Sequence, residues 1–463
     1  MTTFSTALSM TRLLACLMLS VLTAGCTSGG EDADLASPTI VIGIDGLEWS
    51  VVTQMLDAGR LPNLAELMER GRYGSLRVTK PTLSPIIWTS IATGVGPAKH
   101  GIGGFVHPAR EGEPLQLYTS ADRRVKALWN IASDAARRTY VVGWWMTYPV
   151  EPIEGIMVAQ VNTITPEIRR AGKGVWKGRL VPELEGQVHP RELEADLLSI
   201  VPEAEADLDP LVERIFGPLP SGLDQVARRY LEQSRWAFRA DALYHRIGLS
   251  LLREQPAPAL FAIYFGGADV VGHRFWRYLE PSAYAHPPAE RDVAALSEII
   301  PKYYAYLDSI VGDIVAAAGS DATVIVLSDH GMGPANRRSA YRRDTLSGGH
   351  LHAPPAFFVA SGPRIAAPDT IVPAGSANGI ASLGTIFDVA PTVLAILGVP
   401  VGRDMEGDVM TDVVARSWLE RHPVRYVDTH TDDAWQTRRE RSSGRADGLA
   451  ERLDQLRALG YID

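Results

Sequence analysis

Aspartates and histidines fall in four short clusters along this chain, each beside an apolar run. Asp45 closes TIVIGID. Asp269 and His273 follow ALFAIYF with three residues between them. Asp329 and His330 follow TVIVL within SDHGMG, and His350 and His352 stand in SGGHLHAPP, just before AFFVASGP. Carboxylate oxygens and imidazole nitrogens together suit a divalent cation such as Zn2+ or Mn2+. Taken singly, each cluster has a plainer account, because an Asp at a strand end often caps a helix and an isolated His is usually structural. Four clusters converging on one edge of a sheet point instead to a metal centre. The spacing of Asp269 and His273 puts both side chains on one helical face, or joins them in a tight loop.

A fifth segment, PTLSPIIWTSIATG at 81–94, adds a hydroxyl. Ser84-Pro85 reads as a helix start, since Ser is a favoured N-cap and Pro favours the first helical position. The same geometry serves chemistry. Backbone N–H groups at a helix N-terminus attract an anion such as phosphate, and a divalent ion on Oγ would turn the hydroxyl into a nucleophile at neutral pH. The two readings are compatible, and the residues alone do not separate them. Thr82 is a second hydroxyl in a turn-like context. His100 in AKHGI is better read as structural than as an acid or base. Among the aromatics, Trp88, Trp144 and Trp145 read as core, whereas Phe275 and Trp276, just after His273, are candidates for a substrate pocket.

The elements that must position these residues follow from the apolar pattern. Residues 39–45, 140–144, 259–265, 323–327 and 356–360 are short apolar runs separated by longer stretches, several with helical periodicity. Helical patterns follow the first run at 50–59 and 61–71, and others occupy 292–318, interrupted only by Pro301, and 383–397. Strands alternating with helices predict an α/β fold, a doubly wound, mostly parallel sheet with helices on both faces and ligands beyond the carboxyl ends of the strands. Residues 164–254 are charged and helical in pattern, and read as an inserted helical subdomain that caps the site. The amphipathic end at 451–463 reads as a helical tail, part of 416–463, docked on the domain.

Composition narrows the function classes. Of 463 residues 46% are hydrophobic and 21% charged, enough apolar chain to bury a sizeable core. With 45 Lys+Arg against 54 Asp+Glu the net charge is −9, and no basic block is present, so nucleic-acid binding is not expected. The two cysteines, Cys16 and Cys26, leave none in the remaining 437 residues (463 − 26), which excludes a disulfide framework, a Cys zinc site and a thiol nucleophile there. Residues 1–26 read as an export signal, with Arg12 before an apolar run of ten at 13–22, and Met10 as an alternative start. LTAGC at 22–26 resembles a bacterial lipobox, with Thr23 a less usual residue in it. The expectation is a lipoprotein signal peptide at 1–26, membrane attachment through lipidated Cys26, a flexible tether at 27–38 and a location in the cell envelope, periplasmic or outward-facing. No protein partner is inferred.

With these motifs assembled, the chain resembles the alkaline phosphatase superfamily, in particular its type I phosphodiesterase/nucleotide pyrophosphatase branch, over roughly 39–415. VIGIDGLEW, LSPIIWTSIATGVGPAKHGI, ADVVGHRFW, VLSDHGMGP and SGGHLHAPP carry the likeness. It implies a two-metal phosphoric-ester hydrolase, with a phosphodiesterase or phosphatase activity on a small-molecule, lipid or glycan phosphate ester. Asp45, Asp329 and His330 would hold one ion beside the nucleophile Ser84, itself a ligand. Asp269, His273 and one histidine of the HLH pair would hold the other. His350 follows Ser-Gly-Gly as the family's SGxH pattern asks, and His352 is the alternative. Two features depart from that branch: the nucleophile there is commonly Thr, and an Asn often found beyond HGI is replaced here by Gly103-Gly104-Phe105, which puts nucleotide-type specificity in doubt. Sulfatases need C/S-x-P-x-R, and Ser84-Pro85 with Trp88 does not fit. A transferase of phospho-alcohol head groups to surface glycans or lipids would use the same residues. A catalytically silent binding lipoprotein has no reason to retain all seven.

Overall fold

The computed structural model describes residues 35–108, 117–160, 180, 184–335, 346–352, 354–368, 380–433 and 435. The chain divides into two units at Ser37/Pro38, and the second, Pro38–Asp463, carries the sheet and its helices. The expected signal peptide, most of the tether, residues 164–179 and 181–183 of the expected insertion, and the C-terminal stretch 436–463 lie outside the described residues.

The strands, in chain order, are β1 (Thr39–Ile44), β2 (Arg72–Arg77), β3 (Thr139–Val142), β4 (Gly155–Val158), β5 (Val188–His189), β6 (Leu260–Phe265), β7 (Thr323–Leu327), β8 (Gly333–Pro334), β9 (Gly348–Gly349), β10 (Ala356–Ser361), β11 (Ser382–Thr385), β12 (Val401–Gly402) and β13 (Tyr426–Val427). Nine of them form one sheet in the order β11-β2-β10-β7-β1-β6-β3-β4-β5. The central five, from β7 to β4, are mutually parallel. β10 runs antiparallel to β7 and β2, and β5 antiparallel to β4. The strands β1, β6, β7 and β10 are buried along their whole length. Such strands, covered on both faces, are the β-branched and aromatic runs seen in the sequence.

The helices are α1 (Trp49–Asp57), α2 (Pro62–Arg70), α3 (Ser84–Thr93), α4 (Pro97–His100), α5 (Leu128–Asp134), α6 (Glu194–Phe216), α7 (Gln225–Glu254), α8 (Gly267–Leu279), α9 (Glu290–Leu296), α10 (Ile299–Ala318), α11 (Val389–Ile396) and α12 (Arg416–Arg421). Two groups cover the sheet: α2, α7, α8 and α10 pack together, as do α3, α5 and α11. Strand alternation shows that they take opposite faces. Gly248 of α7 sits against Phe261 and Ile263, while Trp88 of α3 lies against Gly43, whose register partner on β6 is Tyr264. This is the doubly wound architecture expected.

Several boundaries differ from the sequence expectation. Residues 292–318 are two helices, α9 and α10, and Pro301 falls in the first turn of α10, where its missing N–H goes unmissed. The stretch at 383–397 opens as edge strand β11 before becoming α11. Within 164–254 the described helices are α6 and α7, and α7 packs on β6, β3, α8 and α10, so it belongs to the layer over the sheet. No helix among the described residues is long and apolar enough to cross a membrane.

Candidate metal centre

Each candidate ligand takes its place from the path of the chain through the sheet. Asp45 comes directly after β1, and its N–H extends the ladder to Phe265 O at 2.9 Å. The chain then turns at Gly46, whose φ of +70° suits glycine and whose N–H donates to Asp329 Oδ1 at 3.2 Å. Asp329 and His330 follow β7, the other neighbour of β1. Asp269 and His273 lie in the first two turns of α8, which begins as β6 ends. His350 precedes β10, and because β10 runs against β7, the start of β10 lies at the same edge as the carboxyl ends of the parallel strands. The reversed strand is what brings a residue so late in the chain to the ligand edge.

The side chains meet there. His330 Nε2 is 3.2 Å from Asp329 Oδ2 and 3.7 Å from Asp45 Oδ1. His273 Nε2 is 3.2 Å from Asp269 Oδ1, and His350 Nε2 is 3.9 Å from the same oxygen. The His330 and His350 rings stack at 3.7 Å between centroids. Taken as donor atoms, Asp45, Asp329 and His330 lie within 4.8 Å of one another, and so do Asp269, His330 and His350. His330 therefore stands between two groupings, and His273 joins the second through Asp269. All six residues are buried.

Hydrogen bonding fixes which nitrogens face inward. His273 Nδ1 lies 2.8 Å from Gly348 O, and His330 Nδ1 lies 3.0 Å from Gly331 O. A carbonyl can only accept, so each Nδ1 carries a proton and each Nε2 is the nitrogen turned toward the carboxylates. Burial alone would be costly for this set. Burial, then the charge of Asp269, pushes Asp45 up to about 7, and Asp329 is raised by burial, Asp45 and Asp269. Burial lowers His330 to about 4, and lowers His350 further with help from His330 and His273. Burial opposes the ionised form of Asp269 too, but His273 beside it outweighs that and holds the carboxyl below its usual range.

These residues fit a divalent cation. Asp45 Oδ1, Asp329 Oδ2 and His330 Nε2 are buried and have no hydrogen-bond partner, although they lie close together. Buried polar atoms left this way are uncommon, and converging oxygens and an imidazole lone pair are what a cation would bind.

Ser84 opens α3 and is 2% exposed. The sequence points to it as the N-cap, but Leu83 holds that position, with its carbonyl accepting from Ile87 N–H at 3.0 Å. The helix thus starts without the Ser84 hydroxyl as its cap. The segment is tied to the cluster on both sides of Ser84: Thr82 Oγ1 donates to His350 O at 3.0 Å, and Trp88 Nε1 donates to Asp45 Oδ2 at 3.0 Å. His100 is buried among backbone and hydroxyl partners: Nδ1 accepts from Ile102 N–H at 3.1 Å, which leaves Nε2–H to meet Ser90 Oγ at 3.1 Å. His352 is exposed.

The aromatic expectation needs correction. Phe275 and Trp276 are buried, and Phe275 packs on Phe216, Tyr230 and Tyr278, so it fills the helical layer. Trp88, read as core, touches the cluster through Asp45. Tyr264, which donates to Asp45 Oδ2 at 2.7 Å, is a neighbour of the cluster that the sequence does not single out. Its only trace there is a phenol near the end of a strand otherwise made of hydrocarbon.

The sheet order and the ligand edge define an alkaline phosphatase-like fold. The alkaline phosphatase PafA aligns over 82% of this chain and 99% of its own, with 11% identity and a TM-score of 0.53. Human ectonucleotide pyrophosphatase/phosphodiesterase 5 aligns over 82% of this chain and 100% of its own, with 11% identity and a TM-score of 0.45. A phosphonoacetate hydrolase from Sinorhizobium meliloti 1021 shares 20% identity at a TM-score of 0.37, and the match covers 65% of this chain but 57% of that one. Residues 39–360 match the type I phosphodiesterase/nucleotide pyrophosphatase family, and the chain belongs to it.

Proposed function

We propose that the protein is a metal-dependent phosphoric-ester hydrolase with Ser84 as its nucleophile. The observation that supports this best is the buried cluster of three carboxylates and three imidazoles at the sheet edge, tied to both sides of Ser84. Two divalent ions, Zn2+ or Mn2+, would be held by Asp45, Asp329 and His330 and by Asp269, His273 and His350, with Ser84 as a further ligand of the first. When bound, they would supply charge neutralisation of the phosphoryl group and activation of the hydroxyl and of water. Ser84 Oγ attacks phosphorus in line, the alcohol leaves, and a phosphoseryl or phosphodiester enzyme forms. Water then attacks phosphorus from the opposite side and restores the serine. Cys26 precedes the catalytic unit in the sequence, and we propose further that its lipidation tethers the enzyme in the cell envelope; labelled palmitate should enter the wild type and not Cys26→Ala.

The test of the activity is metal analysis of the purified protein, with turnover of bis(p-nitrophenyl) phosphate and p-nitrophenyl phosphate before and after chelation. Bound zinc or manganese and chelator-sensitive cleavage of either ester are expected. Protein that holds neither metal and cleaves neither ester with both metals supplied would overturn the reading. A Ser84→Ala protein with full activity would remove the nucleophile assignment and leave the metals standing.

A further inference from the structure

Asp45 uses its two oxygens differently. Oδ2 accepts from Tyr264 OH at 2.7 Å and from Trp88 Nε1 at 3.0 Å. Oδ1 is buried, has no hydrogen-bond partner and faces His330 Nε2 at 3.7 Å. Two donors on one oxygen occupy its lone pairs and fix the torsion of the carboxylate, so a single oxygen is left for a cation. We propose that Trp88 and Tyr264 are positioning residues that hold Asp45 as a one-oxygen ligand, and that Trp88 couples this ligand to the helix opening with Ser84. The inference rests on the metal-dependent reading of Asp45 and Ser84.

The setting of the two donors is built for this. Trp88 lies one helical turn beyond Ser84, so both are on the same side of α3. Its indole meets Tyr264 edge-on at 5.3 Å and Trp144 at 5.0 Å, and Trp144 Nε1 donates to Trp88 O at 3.3 Å. Beneath it is Gly43 of β1, where a Cβ would come within 2.8 Å of two indole carbons. Only glycine lets the ring lie flat enough against β1 to reach the carboxylate two residues on. Tyr264 stands beside Gly43 in the β1–β6 register. The donors therefore come from two different elements, α3 and β6, and close on an oxygen carried by a third.

The test compares full-length wild type with Tyr264→Phe and Trp88→Phe, which remove the donors and keep aromatic bulk. Apoprotein is titrated with Zn2+ by calorimetry, with apoprotein melting temperature measured alongside and the Co2+ absorption spectrum reporting coordination number. Each variant is expected to weaken one of the two binding events about tenfold, as loss of a partner behind a ligand typically does, and to leave the other within about twofold. The Co2+ spectrum should change at that ion alone. Wild-type affinity at both ions in both variants overturns the proposal. So does an equal loss at both ions that follows a fall in melting temperature, because that is the mark of two ordinary core residues. Should Trp88→Phe not fold, Tyr264→Phe decides by the same criteria. A wild-type protein that takes up no ion overturns the metal reading itself, an outcome distinct from the others.

Discussion

The two sides of the cluster are held by different means. Asp45 and Asp329 leave the ends of adjacent parallel strands, and the β1–β7 register sets their separation. Asp269 and His273 ride on a helix, and His350 on the chain between β9 and β10. The helix side therefore carries anchors of its own. Asp241, buried in α7, accepts from Gly266 and Gly267 N–H at 3.0 Å each and from Tyr303 OH at 2.7 Å, which pins the first turn of α8. Ser347 N–H donates to His273 O at 2.7 Å, and Tyr284 OH to Ser347 O at 2.6 Å. Ligands at strand ends take their positions from the sheet, while ligands on a helix and a loop depend on side chains far from them in sequence.

Substitutions can break or sharpen that contrast. The largest effect is expected at His330, a proposed ligand of the ion beside Ser84 that also borders the other grouping: His330→Ala should lose the ion beside Ser84 in metal analysis and lower turnover by about 10³-fold or more, as removal of several kcal/mol of charge stabilisation would. Next comes Asp241→Ala, which should weaken a single Zn2+ binding event about tenfold in calorimetry and spare the other; loss at both ions would erase the distinction between the sides. A third test concerns His100, buried outside the cluster. Burial lowers its pKa from 6.5 to about 3, so the folded protein releases a proton that the unfolded chain binds below pH 6.5. The stability linked to this is present above pH 6.5 and is lost as pH falls toward 3. Between pH 6.5 and 5 the loss is about 2 kcal/mol, and it should be missing from His100→Gln when urea unfolding is compared at the two pH values. The smallest effect is expected at exposed His352, where His352→Ala should change turnover by no more than about twofold, in contrast to His350→Ala.

Much of the architecture is legible in the sequence, for physical reasons that can be named. The strands β1, β6, β7 and β10 are buried on both faces and so read as unbroken apolar runs, each with its Asp or His nearby. β2, with the sequence RYGSLR, and β11, with SLGT, are polar or glycine-containing and carry no such signal, although they complete one side of the sheet. Six acids and histidines can be singled out because carboxylates and imidazoles suited to a metal are chemically distinctive. Trp88, Tyr264 and Asp241 cannot, since their roles exist only through partners 43, 219 and 25–26 positions away in the chain. Phe275 shows the opposite error, in which closeness in sequence to His273 suggests closeness to the site.

The reversed strand β10 has a kinetic consequence. Asp45 and His350 are separated by 305 positions (350 − 45), and the sheet must take in β1, β6, β7 and finally β10 before all the ligands are at one edge. Contacts of such long range form slowly. On the proposed reading, ion affinity for the whole set would belong to the completed fold, and the ion would add its binding free energy to that state alone. A chain emerging from synthesis has no finished cluster until β10 is in place, so on the proposed reading metal capture would mark the end of folding.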